Sequence, residues 1–381
     1  MRSEARASAI TGGPFDLIVV GGGIAGSAAA LRAAQYEHIR TLWIRGDRAT
    51  RKRSRSQWVV NIDNMIGLHH GVVRGKLVRA LKGEEFAAAR EALRQGHEHI
   101  STRDIVRNTI ERLQSSYSEQ VVMVDVVAQS ARGTEDGLVV VTPEGEVGAP
   151  WLLLATGVTD RQPTIRKRQG DQILEELRWI FPFANRETVL YCIRCEGHMT
   201  RETATAVIGH SDTAAQIAMM LYERYGSACS LLTNGEPPAW SERSGRLLEQ
   251  YSIAVHTERI VEAMGTKGDL HGLVLEGGRT ISVRMALVAL GLHRVYNDLA
   301  RDLGAELADA ELPEGERHVL IDWKGETSVR GLFAIGDMVK RRDGEPVMKQ
   351  VYTAQEYAVR AIDSIDRRMR SARRSKLLGD N

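Results

Sequence analysis

Near the start of this chain a strand-like run, Phe15-Asp16-Leu17-Ile18-Val19-Val20, passes directly into Gly21-Gly22-Gly23-Ile24-Ala25-Gly26 and an alanine-rich helical stretch from Ala25 to about Ala34. A glycine turn between a buried strand and a helix reverses the chain tightly and lets the helix lie close to the sheet. It also aims backbone amides and a helix N-terminus at a diphosphate. The next parallel strand is predicted over Thr41 to Arg45, ending in Gly46-Asp47. The acid that usually closes this strand against a ribose is absent. Arg45 stands near its place and Asp47 just beyond, so these two are the candidate ribose contacts.

The same order returns as Thr205-Ala206-Val207-Ile208, then Gly209-His210-Ser211-Asp212-Thr213-Ala214, then a helix through Gln216 to Tyr222 and a strand over Cys229 to Leu232. Two such units imply a duplicated architecture rather than a repeat array, each half suited to one nucleotide. The predicted fold is α/β, with two Rossmann-like three-layer nucleotide-binding domains, the second inserted in the first. Residues 1–160 form the first part of the outer domain, 161–284 the inserted central domain and 285–381 the returning part. Val283 to Leu290, Gly331 through Gly336-Asp337 and a helix from about Tyr352 to Arg370 are assigned to that return. Between the halves, residues 70–119 read as helical, with Ser101 or Thr102 as a cap.

Two of only three cysteines lie in Cys192-Ile193-Arg194-Cys195-Glu196-Gly197. A CxxC spacing lets two thiols close into a disulfide and reopen. The competing readings are a zinc site with His198 as a third ligand and an inert core pair; zinc normally takes four ligands, and no fourth is evident, so no metal is expected. Glu196 beside the thiols reads either as a carboxylate that carries the thiol proton or as a helix-capping carboxylate. Cys229 reads as a small core residue.

With 381 residues, 43% hydrophobic and 26% charged, the chain has ample core for two domains. Its 51 Lys and Arg nearly balance 49 Asp and Glu, and no nucleic-acid partner is expected. Three cysteines and an N-terminus without an apolar core point to the cytoplasm. No apolar run approaches the roughly 20 residues that cross a bilayer. Membrane association is expected only as peripheral contact through the basic tail, Arg367 to Lys376.

In order and spacing, several segments resemble the low-molecular-weight thioredoxin reductases. These are Gly21 to Gly26, Asn61-Ile62-Asp63-Asn64 with Gly67, Ala155-Thr156-Gly157, Cys192 to Gly197, Val207 to Ala214, and Thr327-Ser328-Val329-Arg330-Gly331 through Gly336-Asp337. The resemblance implies a flavin-linked disulfide oxidoreductase, with FAD in the outer domain at Gly21, Gly23, Ile24, Ala25 and Gly26. Asn61, Thr156, Gly157 and Gly336 would be further contacts, with the ribityl chain near Asp337. Lys349-Gln350-Val351 would lie against the isoalloxazine, Lys349 standing where the family carries an arginine. Cys195 would face the flavin, Cys192 would exchange with a substrate disulfide, and Glu196 would occupy the place of the family's acid-base aspartate. A homodimer is implied as well, with a thioredoxin-like protein or a small dithiol as substrate.

The second turn departs from the family. Ser211 puts a side chain where bare backbone should approach phosphate, and Leu231-Leu232-Thr233-Asn234-Gly235-Glu236 offers no arginine to a 2′-phosphate. The expectation is that NADPH binds poorly or not at all at Gly209, His210, Ser211, Asp212 and Thr213. Some relatives hold a second FAD there and others take electrons from a protein donor. Arg51 and Arg53 would then neutralise a second diphosphate, with Lys340 to Arg342 assisting. An NADPH-dependent reductase, a small-molecule dithiol oxidase and an FAD-containing redox sensor remain as alternatives, and direction is open.

Overall fold

The computed structural model describes residue 10, residues 12–59, residue 62, residues 64–66, 101–169 and 172–379. Asn61, Asp63, Gly67 and the segment 70–100 lie outside the described residues. The chain divides into two compact units, one of Met1–Gln57, Thr102–Thr159 and Arg294–Asn381, the other of Trp58–Ser101 and Asp160–His293.

In chain order the first unit supplies strand β1 (Leu17–Val20), helix α1 (Ile24–Ala34) and strands β2 (Thr41–Ile44), β3 (Val121–Val124) and β4 (Trp151–Leu154). The second unit follows with β5 (Val189–Leu190), β6 (Ala204–Ile208), α2 (Asp212–Tyr225), β7 (Ala228–Leu232), β8 (Ala254–His256) and β9 (Met285–Val288). The chain then returns to the first unit with β10 (Leu332–Ala334) and α3 (Val351–Leu378).

Both units carry a parallel five-stranded sheet, ordered β10-β4-β1-β2-β3 in the first and β5-β9-β6-β7-β8 in the second. The arrangements correspond, with β6 in the place of β1 and β9 in the place of β4. A three-stranded antiparallel sheet precedes β4 (residues 130–149) and another precedes β9 (residues 260–281), so the duplication extends to all three layers. β1 and β2 are buried at every position, which is why they read as continuous apolar runs rather than alternating ones. Full burial of Leu152, Leu153 and Leu154 in β4 is worth ~1.5–3 kcal/mol for each side chain.

In the second unit the period of two is explicit. Ala206 and Ile208 of β6 join a core with Leu270, Leu273 and Leu275 of the antiparallel sheet. Val207 between them joins Ala214, Ala215, Ala218 and Leu221 of α2. In the first unit α1 and α3 lie side by side, tied by Arg32 Nε to Asp363 Oδ1 at 2.9 Å and Tyr36 Oη to the same oxygen at 2.9 Å.

One assignment is corrected. The stretch beginning at Val283 does not start the return to the first unit. β9 is hydrogen-bonded between β5 and β6, with Ala286 opposite both Val189 and Ala206, and the second unit runs to His293 rather than to residue 284. A four-residue apolar strand carries no mark of which parallel sheet it will enter. Thr102 does begin a helix, Thr102–Ser116, whose Leu113 is fully buried.

Candidate active site

Cys192 and Cys195 are joined as a disulfide, their Cα atoms 5.3 Å apart. β5 delivers the chain to Tyr191, and Cys192 then caps the short helix Ile193–Glu196: its Sγ accepts the Cys195 amide at 3.2 Å. Glu196 is 1% exposed, and its Oε2 accepts the amides of Tyr191 at 2.9 Å and Cys192 at 3.0 Å. The carboxylate therefore reaches back to the amide of the cap residue from one position beyond that of a capping box, fixing the backbone that presents the first sulfur.

Tyr191 packs against Trp58 at 5.9 Å between ring centroids, and Trp58 against Phe181 at 5.3 Å. The Tyr191 hydroxyl donates to Gln162 Oε1 at 2.6 Å. Burial raises the Tyr191 phenol well above its ordinary range, with the charges of Asp160 and Glu196 adding to the effect, so it stays protonated. Among the described residues no group of three His, Cys, Asp or Glu is placed to hold a metal ion, and the disulfide engages both sulfurs.

The first glycine turn lies at the carboxyl edge of its sheet. Gly21 has φ +129°, and a Cβ there would lie 2.1 Å from the Ala155 carbonyl oxygen; a Cβ on Gly26 would lie 1.9 Å from the Gly21 oxygen. These two glycines permit close packing of strand, turn and helix. Gly23 is different, since a Cβ there would meet nothing nearer than Ser54 Oγ at 3.7 Å. Gly23 is also the N-cap of α1, makes no side-chain cap, and α1 has no acidic residue in its first turn. Ile24 and Ala25 open that turn. An open approach to an uncapped helix N-terminus without nearby carboxylates on that turn fits a diphosphate.

Around this edge, Gly336 (φ +81°) sits so close to α1 that its Cβ would be 2.9 Å from Ala25 Cβ. Asp337 follows, its Oδ2 3.0 Å from Arg55 Nη1. Lys349 Nζ donates to the Asp337 carbonyl at 3.2 Å, Gln350 is the N-cap of α3 and Val351 its first residue. Thr156 Oγ1 donates to the Tyr296 carbonyl at 2.5 Å, and Gly157 (φ +72°) faces open space. Asp47 is used locally: its Oδ1 accepts the Thr50 amide at 2.7 Å, and hydrogen bonds from Thr50, its side chain first and then its amide, hold the carboxyl below the usual range. Arg45 and Arg51 converge on Asp125, at 2.8 and 2.7 Å. Arg53 is exposed, and its carbonyl accepts from Thr159. Arg51 and Arg53 thus belong to the first unit, whereas Gly209 to Thr213 belong to the second. The cluster Lys340 to Arg342 is neutralised locally, Lys340 by Asp309, Arg341 by Asp343 and Arg342 by Glu306.

The second turn is built otherwise. Ser211 Oγ caps α2 by accepting the Ala214 amide at 3.4 Å, and Asp212 places a carboxylate in the first turn. Oδ1 of Asp212 accepts from Ser241 N, Ser241 Oγ and Ser244 Oγ at 3.0, 3.0 and 2.7 Å. These bonds, led by the Ser241 amide, pull its carboxyl down to about 2, so a fixed negative charge stands where a diphosphate would approach. The segment after β7 closes over the turn, Ala239 donating its amide to the His210 carbonyl at 2.7 Å.

Sequence reasoning missed two features. Arg259 lies against Gly235, where a Cβ would be 2.4 Å from Arg259 Cγ. The loop after β7 therefore does have an arginine beside it, contributed from the far side of β8, and the expectation of none is corrected. Asp309 and His318 join Lys349 in one hydrogen-bonded chain, through residues that no motif marks.

The model of the pyridine nucleotide-disulphide oxidoreductase family matches residues 15–358. An alkyl hydroperoxide reductase component of Pseudomonas aeruginosa is 25% identical over 364 residues, covering 94% of this chain but only 59% of that relative. Among solved structures, a thioredoxin reductase from Streptococcus pyogenes superposes with a TM-score of 0.69 at 17% identity, covering 94% of this chain and 98% of that one. An oxidoreductase from Agrobacterium tumefaciens superposes at 0.66 and 22% identity, covering 94% and 99%. These structural likenesses speak to the fold, while the family match spans both glycine turns and the cysteine pair: the chain belongs to the pyridine nucleotide-disulphide oxidoreductase family and has a thioredoxin reductase-like architecture.

Proposed function

We propose that the chain is an FAD-dependent thiol/disulfide oxidoreductase that exchanges an electron pair between a flavin at the first glycine turn and the Cys192–Cys195 disulfide, without NADPH at the second turn. The observation that carries this reading is the contrast between the turns. One presents an uncapped helix N-terminus behind an open Gly23; the other is capped by Ser211 and guarded by the Asp212 carboxylate. Bound FAD supplies a two-electron acceptor or donor.

The remaining steps belong to the chain's own groups. Reduction of the disulfide takes an electron pair and two protons and yields two thiols; the reverse returns them. Cys195 exchanges with the flavin and Cys192 with the substrate. The Cys195 amide at 3.2 Å from Cys192 Sγ favours a thiolate there as attacking group. Glu196 holds the turn and passes the thiol proton. The substrate is a disulfide or dithiol, on a thioredoxin-like protein or a small molecule; the name of one structural neighbour, a thioredoxin reductase, supports the first. A homodimer is part of the proposal. Among the described residues no helix is long and apolar enough to cross a membrane, and in the basic tail Arg368 and Arg370 pair with Glu326 and Asp366.

A second reading, an NADPH-dependent reductase, is favoured by the position of Arg259 beside Gly235. Anaerobic titration decides between them. The first reading expects no flavin bleaching by NADPH within seconds; rapid bleaching that is lost in Arg259→Gln establishes the second. Released flavin counts the sites: two FAD per chain assign the second turn to flavin, and one assigns electron supply to a protein donor or a dithiol.

A further inference from the structure

We propose that the end of α3, past Asp366, forms a basic face tipped by two leucines that docks the protein peripherally on an anionic lipid surface. The proposal goes beyond the flavin chemistry and holds for either reading of the second turn.

The helix outruns the core it packs on. α3 has buried residues from Thr353 to Asp366, and past Asp366 none of its residues is buried. It nonetheless stays helical to Leu378, beyond the Arg370 expected from the sequence. Gly379 closes the last turn, with a left-handed φ of +73° and its amide donating to the Lys376 carbonyl. At 1.5 Å per residue, the stretch from Arg370 to Leu378 is roughly 12 Å long.

From Arg367 to Leu378 the sequence carries six basic residues and no acidic one. Two of the six are spent on the helix's own unit. Arg368 pairs with Glu326 and lies 5.6 Å over the Trp151 ring, and Arg370 pairs with Asp366 Oδ2 at 2.8 Å. The other four, Arg367, Arg373, Arg374 and Lys376, are exposed and meet no carboxylate among the described residues. Cations in a last helical turn offset the helix dipole, which accounts for Lys376 alone. It leaves three arginines without a structural role.

It also leaves Leu377 and Leu378, which are 78% and 76% exposed. A single exposed leucine is ordinary, but these two share a face with the arginines. Residues three, four and seven apart stack along one side of a helix. Arg367, Arg370, Arg373, Arg374, Leu377 and Leu378 follow that spacing, while Ala372 and Ser375 fall on the opposite side.

This combination selects the partner. A guanidinium keeps its charge at any physiological pH and hydrogen-bonds phosphate through its fork. Its aliphatic stem lies along apolar surface while the head stays at the level of the phosphates. A bilayer supplies both, phosphates with an acyl boundary beneath them, and has no fixed shape to match. An acidic protein surface would satisfy the arginines but would bury the leucines only if it also carried hollows at their spacing. The face therefore fits an anionic leaflet, with the helix lying along it and the leucines at the acyl boundary. Attachment through so short a face is reversible.

Co-sedimentation of the full chain with vesicles tests the assignment. At ~0.1 M salt the protein is expected to bind vesicles of phosphatidylglycerol and phosphatidylcholine in equal parts, and to bind phosphatidylcholine alone ~10-fold more weakly or less. Binding should fall steeply at ~1 M salt, where screening shortens to about 3 Å. Arg373→Gln with Arg374→Gln should weaken binding by ~10-fold, whereas Arg373→Lys with Arg374→Lys should keep most of it. Leu377→Ser with Leu378→Ser should weaken it by ~5-fold with every charge in place. Arg243→Gln with Arg246→Gln removes the same charge from exposed positions on the second unit and should change little. Absence of binding to the anionic vesicles, equal binding to neutral ones, or an equal loss in the Arg243 and Arg246 variant overturns the proposal. Binding indifferent to the leucines overturns it too, since charge alone would then suffice. Protein that ignores the vesicles but is retained on immobilised polyglutamate would assign the face to an acidic protein, against the lipid.

Discussion

Gly26 approaches Gly21 so closely that a Cβ on Gly26 would lie 1.9 Å from the Gly21 carbonyl oxygen. Three residues earlier, Gly23 has open space. The two positions therefore separate packing from ligand binding. Gly26→Ala drives a methyl group into backbone that is itself tied to Trp43 Nε1 at 2.8 Å, and it is expected to destabilise the fold by at least ~1–3 kcal/mol. Gly23→Ala should fold with a near-native melting temperature and release FAD more readily. Thermal unfolding with and without added FAD distinguishes the two, and equal effects of both variants on the flavin-free protein would remove the distinction.

Glu196 supports the cysteine turn through two amides. Glu196→Ala leaves both donors buried without their acceptor, a loss of ~1–3 kcal/mol for each group left unsatisfied. Glu196→Gln keeps one acceptor oxygen but no ionisable group, so it should lie within ~1 kcal/mol of wild type. Its turnover with dithiol should fall ~10²-fold if the carboxylate also moves the thiol proton. Denaturant unfolding and steady-state rates, measured on both variants, assign the role. A Gln variant with full turnover leaves Glu196 with the anchoring role alone.

Both glycine turns, the cysteine pair and the apolar strands that flank the turns were legible in the sequence because they are local signals, carried by glycines, a fixed spacing and continuous apolar runs. Register and partner choice are not local. β9 is as apolar as β10, and only pairing beside Val189 and Ala206 puts it in the second sheet. Arg259 reaches the loop after β7 because β8 brings the chain back along β7, a relation that no spacing encodes. Asp309, His318 and Lys349 are likewise scattered residues gathered by the pairing of Val319–Ile321 with Val339–Arg341. Ser211 was legible as a departure from the expected glycines; that it caps its own helix, and that Asp212 is held charged by Ser241 and Ser244, emerged only from the folded loop.

Asp212 also gives the stability curve a feature at low pH. Its folded carboxyl is pulled down to about 2, below the ordinary carboxylate value, so the folded state favours the ionised form. The resulting stabilisation is fully present above the unfolded value near pH 4 and fades as pH falls through about 2. Asp212→Asn should lose stability at neutral pH and show a flatter dependence between pH 4 and pH 2 than wild type. Identical acid limbs for the two proteins would place the acid sensitivity elsewhere. The variant bears on the second turn as well, since it removes the negative charge from the start of α2 and should bind diphosphate nucleotides more tightly than wild type.

Cys229 and the redox pair should separate cleanly in chemical labelling. Burial pushes the Cys229 thiol up to about 12, and the residue lies in the core between β7 and α2, so at pH 8 it should resist alkylation until the protein unfolds. Cys192 and Cys195 are closed to alkylation as a disulfide and should become reactive on reduction, Cys192 faster, because its sulfur receives the Cys195 amide. Mass spectrometry of the reduced, folded protein after a short exposure should therefore find label at Cys192 first and none at Cys229. The assignment extends to turnover. Cys192→Ser leaves the sulfur that exchanges with the flavin and should retain a flavin–thiolate absorption band while losing substrate exchange. Cys195→Ser should lose that band, and each variant should lower steady-state turnover with dithiols by ~10²-fold or more. A Cys195→Ser protein that keeps full turnover would show that the electron pair reaches the flavin by a route in which this disulfide takes no part.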